Sequence, residues 1–275
     1  MSPNGMDRPG KYVLATGGDA VGRLNVLHQI FSPTGREALV EAGIAEGMRV
    51  ADFGCGAGAT SRWLASLVGV SGSVTGIDVH APQIEEASRL SAEEGVANVR
   101  FVTADACGTR LPGNHFDLVY CRFLLLHLTD PASCLREMWR VLKPGGIVVV
   151  EDGDLAAACS VPPTALDAFG SLFSRLGPTR GVDYSLANRL WHLVADAGFT
   201  ITNVKVHQPS ERAGLVGLLL KWSVAEAGPA MVEAGLLTSE QLQRTVTDME
   251  AAARNPEILA LAPRMSLVSA RKRVN

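Results

Sequence analysis

The chain has 275 residues, of which 47% are hydrophobic and 19% charged; this is a globular profile with room for one large domain or a domain carrying a sizeable insertion. The formal net charge is −3, from 25 Lys plus Arg against 28 Asp plus Glu, and the only basic cluster is Arg271-Lys272-Arg273. Such a balance gives no footprint for a polyanion, so no nucleic-acid partner is expected. Five widely spaced cysteines without a C-x-x-C pair argue against a disulfide framework and a zinc site. The start, "MSPNGMDRPG", lacks an apolar core of the signal-peptide kind. The most apolar late stretch, "GLVGLLLKW" at 214–222, is shorter than the roughly 20 residues of a membrane span. A cytoplasmic protein with reduced thiols and no membrane association is expected.

In chain order, residues 1–10 read as a flexible arm. Apolar spacing from Val21 to Val40 predicts helices interrupted near Pro33 and Gly35. A rhythm of strands and helices follows. "RVADFG" is a buried strand, and "ATSRWLASLVG" a helix closed by Gly69. "SVTGID" is a second strand, and Pro82 opens the helix "PQIEEASRLSAEE" where its missing N–H is harmless. "VRFVTAD" and "FDLVYCR" are the third and fourth strands. "PASCLREMWRVL" is a helix stopped by Pro144-Gly145-Gly146, and "IVVVED" the fifth strand. The rhythm then breaks at 153–182, where "TALDAFGSLFSRL" is helical. It returns with the helix "SLANRLWHLVADAG", whose Leu186, Leu190, Leu193 and Ala197 share a face. "FTITNVKVHQ" is a sixth strand. Helices fill 211–255, with Thr238 and Gln241 as a capping box, and "RMSLVSARK" is the last strand. Apolar strands alternating with helices predict an α/β fold: a doubly wound, mostly parallel seven-stranded sheet with helices on both faces. Its ligand site is expected beyond the C-terminal ends of the strands.

Gly54, Gly56 and Gly58 in "VADFGCGAGATS" indicate a ligand passing close to the backbone. A P-loop needs a Lys where Gly58-Ala59-Thr60 stands. A dinucleotide loop has G-x-G-x-x-G spacing rather than G-x-G-x-G, and Asp52 two residues earlier would repel a pyrophosphate. An acid in that place suits a cationic ligand.

With "VADFGCGAG", "VTGIDVHAPQI", "VTADACGTRLP", "FDLVYCRFLLLHLTDP" and "LREMWRVLKPGGIVVVED" in this order, the 45–150 region resembles the class I, seven-stranded S-adenosylmethionine-dependent methyltransferases. The N-terminal segment also resembles that of small-molecule members related to ubiquinone/menaquinone-biosynthesis methyltransferases. The resemblance implies that Gly54, Gly56 and Gly58 pass under the cofactor and that Asp52 meets its amino group. Asp78 would accept the ribose hydroxyls, Val79 and Ile84 flank the adenine, and Asp105 and Ala106 meet the adenine amino edge. Arg122, Phe123 and Tyr12 would lie near the methionine end. S-adenosylhomocysteine would be the product.

The implied organisation is an N-terminal arm and helical cap at 1–40 and a cofactor half at 41–152. A lid insertion at 153–182 follows, then a C-terminal half at 183–275 with a second helical lid at about 211–255. The apolar lids suggest a small, partly hydrophobic acceptor, in a monomer or homodimer. For a hydroxyl acceptor the candidate bases are Asp152, ending the fifth strand, and His127 after the fourth, with His28 a third candidate. In some sugar and natural-product O-methyltransferases that this chain resembles, a histidine pair stands at Leu126-His127 and an aspartate at Asp152; here Leu126 replaces the first histidine, so the resemblance leaves the base open. His80, His115, His192 and His207 read as surface or packing residues, and no metal is expected. Transfer to O, N or C stays open, as do a non-methylating, cyclase-like enzyme on the same fold and a nicotinamide oxidoreductase.

Overall fold

Seven strands form one sheet in the computed structural model, which describes residue 14 and residues 21–274. In chain order the elements begin with α1 (Val21–Ala42), β1 (Arg49–Phe53), α2 (Ala59–Val68), β2 (Ser73–Asp78), α3 (Ala81–Glu93) and β3 (Val99–Thr103). Next come β4 (Phe116–Arg122), α4 (Pro131–Val141), β5 (Leu142–Asp154), β6 (Cys159–Val161), α5 (Ala168–Arg180) and α6 (Leu190–Asp196). The last are β7 (Thr200–His207), β8 (Ser210–Arg212), α7 (Leu215–Glu233), α8 (Ser239–Arg254), β9 (Leu259–Leu261) and β10 (Arg264–Arg271). The large sheet has the order β3-β2-β1-β4-β5-β10-β7. Its pairs are parallel from β3 to β5, and β10 runs antiparallel to both β5 and β7.

Both faces of the central strands are buried, and the period of two assigns side chains to opposite cores. Val119, Cys121, Val148 and Val150 join Ala51 and Phe53 on one face. Leu118, Tyr120, Ile147 and Val149 join Val50 and Val74 on the other. Each such side chain contributes about 1.5–3 kcal/mol by leaving water, so the sheet centre is rigid and polar chemistry is confined to its ends. β1, β2 and β4 all terminate toward the same edge, with β1 between the other two. The crossover of chain direction on either side of β1 opens a crevice there.

Three expectations are corrected by packing. Val21 to Val40 is not interrupted: α1 runs unbroken through Pro33, because Phe31, Ala38 and Leu39 are buried and Gly35 lies so close to β5 that a Cβ would sit 2.8 Å from Glu151 Oε2. Tertiary burial outweighs the local helix-breaking tendency. The apolar 214–222 run is the start of a longer helix, α7, which has the length and apolarity of a membrane span but buries half of that window in the fold. Finally, β6, β9 and β8 make a separate three-stranded antiparallel sheet that ties the 153–182 segment to the 211–255 segment. Strands of three residues carry too little periodicity to be read beforehand. The Thr238–Gln241 capping box at the start of α8 is present in both directions.

β2 and β3 fit together through one glycine. A Cβ on Gly76 would stand 2.6 Å from the Phe101 ring and 3.0 Å from Cys55 Sγ. Gly76→Ala is therefore expected to lower stability by about 1–3 kcal/mol through overpacking, and adding Phe101→Leu to recover part of the loss. Urea midpoints of the two variants check this; an unchanged midpoint for Gly76→Ala contradicts the close packing.

Candidate functional site

The strand ends and α1 enclose one cavity of about 730 Å³, within the size range of small-molecule sites. Its floor is the glycine loop after β1. Gly54, Gly56 and Gly58 have φ of 72°, 52° and 76°, a left-handed region that side chains resist. The three do different work. Gly54 and Gly56 line the cavity. Gly58 does not; a Cβ there would meet the Phe101 ring at 2.7 Å, so it serves helix–strand packing at the start of α2.

Asp52 is 2% exposed and lines the cavity. Ser61 Oγ donates to its Oδ2 at 2.5 Å. Burial raises its pKa to about 7 against the lowering effects of the Ser61 hydrogen bond and the Arg122 charge. Asp78, at the end of β2, accepts from the Gly56 amide on Oδ2 and from the His80 amide on Oδ1, both at 3.0 Å. Asp105 is exposed at the cavity mouth and accepts from the Cys107 amide at 2.8 Å. Ala106 and Val79 also line the site, Val79 at its solvent edge with 59% exposure.

Ile84 is not brought to the cavity; Gln83 is. The buried face of α3 is Gln83, Ala87 and Ser91, a spacing of four that was readable in the sequence, although a glutamine gives no hydrophobic signal. Gln83 is 4% exposed, and its Oε1 is buried without a partner. Tyr12 lies outside the described residues.

Arg122, closing β4, lines the cavity. It contacts neutral groups: Ser32 Oγ at 3.3 Å, Thr60 Oγ1 at 3.5 Å and His28 Nδ1 at 3.4 Å. Burial, with the charges of Arg122, Arg36 and Arg62, lowers the His28 pKa to about 4, so this ring is neutral at pH 7 and unsuited to gaining a proton. Arg122 makes no ion pair among the described residues. Phe123 holds a left-handed backbone at φ 51°, an energetically unfavourable state for a bulky residue, and its ring packs edge-on against Phe31 at 5.0 Å.

The two candidate bases separate. His127, in the helical turn Leu125–His127, lines the cavity. Burial, and secondarily the Arg23 charge, lowers its pKa to about 3. Asp152 does not line the cavity. It is fully buried and accepts from the Leu126 amide at 3.2 Å and the Gly153 amide at 3.0 Å; burial raises its pKa to about 7. It lies beneath the turn that carries His127, outside the cavity wall.

Strand order, glycine loop and strand-end acids together define the class I, Rossmann-like methyltransferase fold. Residues 51–150 match the family described as Methyltransferase domain. A ubiquinone/menaquinone biosynthesis C-methyltransferase of Ectopseudomonas mendocina (strain ymp) is 38% identical over 125 residues, which are 45% of this chain and 48% of that protein; the match thus spans about half of the relative's length. The crystal structure of a SAM-dependent methyltransferase from Aquifex aeolicus aligns with a TM-score of 0.52 at 26% identity, over 64% of this chain and 84% of that one. The cyclase SpnF shares the fold with a TM-score of 0.52 at 22% identity, over 98% of this chain and 86% of that one.

If Asp152 supports the turn, Asp152→Ala orphans two buried amides and lowers stability by about 1–3 kcal/mol. Asp152→Asn keeps an acceptor oxygen and is expected to lose less. Equal, negligible losses in denaturant titrations would contradict the supporting role.

Proposed function

We propose that the chain is an S-adenosylmethionine-dependent methyltransferase acting on a small, partly hydrophobic metabolite or natural product. The observation that carries this reading is an acid and a cation beside the glycine loop, neither of them in an ion pair among the described residues. Among the described residues Arg122 is a cation hydrogen-bonded to neutral partners, and Asp52 is a buried acid that accepts from the Ser61 hydroxyl. A zwitterionic amino-acid group satisfies both, its carboxylate toward Arg122 and its ammonium toward Asp52. A pyrophosphate satisfies neither arrangement, since it adds negative charge beside Asp52. Asp78 then faces the ribose hydroxyls, with Asp105 and the Ala106 amide toward the adenine edge and Gln83 beside them.

When bound, the cofactor supplies an electrophilic sulfonium methyl. The chain's own residues hold its polar end and leave the apolar end of the cavity, lined by residues such as Leu155, Phe169, Phe173 and Leu219, for the acceptor. Alignment of the two is the main source of rate, worth roughly 7–11 kcal/mol in well-oriented reactions. His127 touches the acceptor space as a neutral hydrogen-bonding group rather than as a strong base. The segments 153–182 and 211–255 serve as the lid that excludes water. The matched domain and its named relative support transfer over the cyclase alternative.

The direct test is incubation with methyl-labelled S-adenosylmethionine and a panel of apolar phenols, enols and amines. Label passing into an organic-extractable product supports transfer. A rearranged product without label, in protein that binds the cofactor, supports the cyclase alternative instead.

The Asp52 assignment has a pH signature. Its pKa of about 7 without ligand falls when an ammonium group arrives, so binding below pH 7 releases a proton. Affinity for S-adenosylhomocysteine is therefore expected to rise with pH up to about 7 and then level off. Calorimetry in buffers of different ionisation enthalpy reads the released proton, which Asp52→Asn should abolish. Release that persists in Asp52→Asn contradicts the assignment.

A further inference from the structure

The acceptor end of the cavity contains a buried cation that none of the roles above uses. Arg23, in the first turn of α1, is 4% exposed and lines the cavity. Its Nε donates to Glu226 Oε2 on α7 at 2.7 Å. The contact is one-sided: Nη2 is buried with no hydrogen-bond partner among the described residues. A guanidinium has five N–H donors in a planar fork, and leaving one buried and unmet costs several times what a surface mismatch would. Glu226 is not part of the cavity wall, whereas Arg23 is. The positive end of the pair thus faces the cavity and its counter-ion stands behind.

Position adds to this. A cation in the first turn of a helix opposes the helix dipole, so neither helix formation nor solvation favours Arg23 here. Its neighbours on the wall are apolar or neutral. Phe169, Phe173, Leu219 and Leu220 supply the apolar surface. Ser223 lines the same end, and its hydroxyl proton is directed at the Leu219 carbonyl at 2.9 Å. The acids of the cavity, Asp52, Asp78 and Asp105, belong to the strand ends where the cofactor is placed.

We propose that the methyl acceptor is an apolar compound that presents an oxyanion (a phenolate, an enolate or a carboxylate) to the Arg23 guanidinium, with its apolar body against the phenylalanine and leucine side chains. This rests on reading the cavity as a methyl-transfer site. An acceptor that enters already ionised leaves its proton in water. The cavity then needs no buried base, which suits a neutral His127 and an Asp152 sealed beneath the turn. The unmet Nη2 donor lies in the plane of the guanidinium, so it fixes the acceptor oxygen's direction as well as its charge.

The test is calorimetric binding of small probes to the full chain saturated with S-adenosylhomocysteine. 2-Naphthoate is paired with its neutral analogue 2-naphthamide, and 4-nitro-1-naphtholate, an acidic phenol ionised at neutral pH, with neutral 1-nitronaphthalene. The two pairs distinguish a carboxylate from a phenolate-type acceptor. At least one anion is expected to bind about tenfold or more tightly than its neutral partner, as one charge-assisted hydrogen bond implies. Arg23→Met combined with Glu226→Gln, which removes both charges of the pair together, should erase the preference, and Arg23→Lys alone should keep part of it. Thermal melting verifies that both variants fold. Equal affinity within both pairs, including no binding of either member, overturns the proposal, as does a preference that survives the double substitution. Failure of the unmodified chain to bind S-adenosylhomocysteine overturns the cofactor reading instead.

Discussion

The hydrogen bond from the Gly56 amide to Asp78 Oδ2 ties the loop after β1 to the end of β2, and the geometry of the site follows from it. The loop reaches Asp78 only because Gly54, Gly56 and Gly58 adopt left-handed backbone conformations. It is further pinned by the Gly54 and Cys55 amides, both donating to the Ile77 carbonyl. Once that frame is set, Asp52 lies beneath the loop and Arg122 arrives from β4 on the neighbouring side.

The two ends of the cavity obey different physics. At the strand ends, polar groups are oriented by backbone amides and by one another, and their charges are arranged for a ligand of both signs. At the other end, α1, α5 and α7 provide apolar walls, and the buried Arg23, paired with the half-buried Glu226, carries a charge. The small sheet of β6, β8 and β9 braces the segments that form those walls. A reaction between a charged donor and an apolar acceptor needs this division, because each partner is solvated by a different surface while their reacting atoms meet at the boundary.

The cofactor half was legible in the sequence because its determinants are local. The glycine loop, Asp78 and the strand rhythm are each encoded within a few residues, and the sheet runs as they indicate. Ile84, assigned through the resemblance, does not line the cavity, whereas Gln83 does, on the face of α3 that also buries Ala87 and Ser91. Asp152 was read as a base because it ends a strand; its partner, the Leu126 amide, lies 26 positions away. Arg23 carried no signal at all, as its ion-pair partner is 203 positions distant. The unbroken α1 likewise depends on Gly35 meeting Glu151, a contact invisible to local helix propensity.

The most direct test of the central claim is a crystal structure of the chain with S-adenosylhomocysteine. The ribose hydroxyls are expected within hydrogen-bonding distance of Asp78, the amino group at Asp52, the carboxylate at Arg122, and the sulfur turned toward Phe169 and Phe173. A ligand seated with its adenine in the apolar end, or bound away from the Gly56 loop, would contradict it.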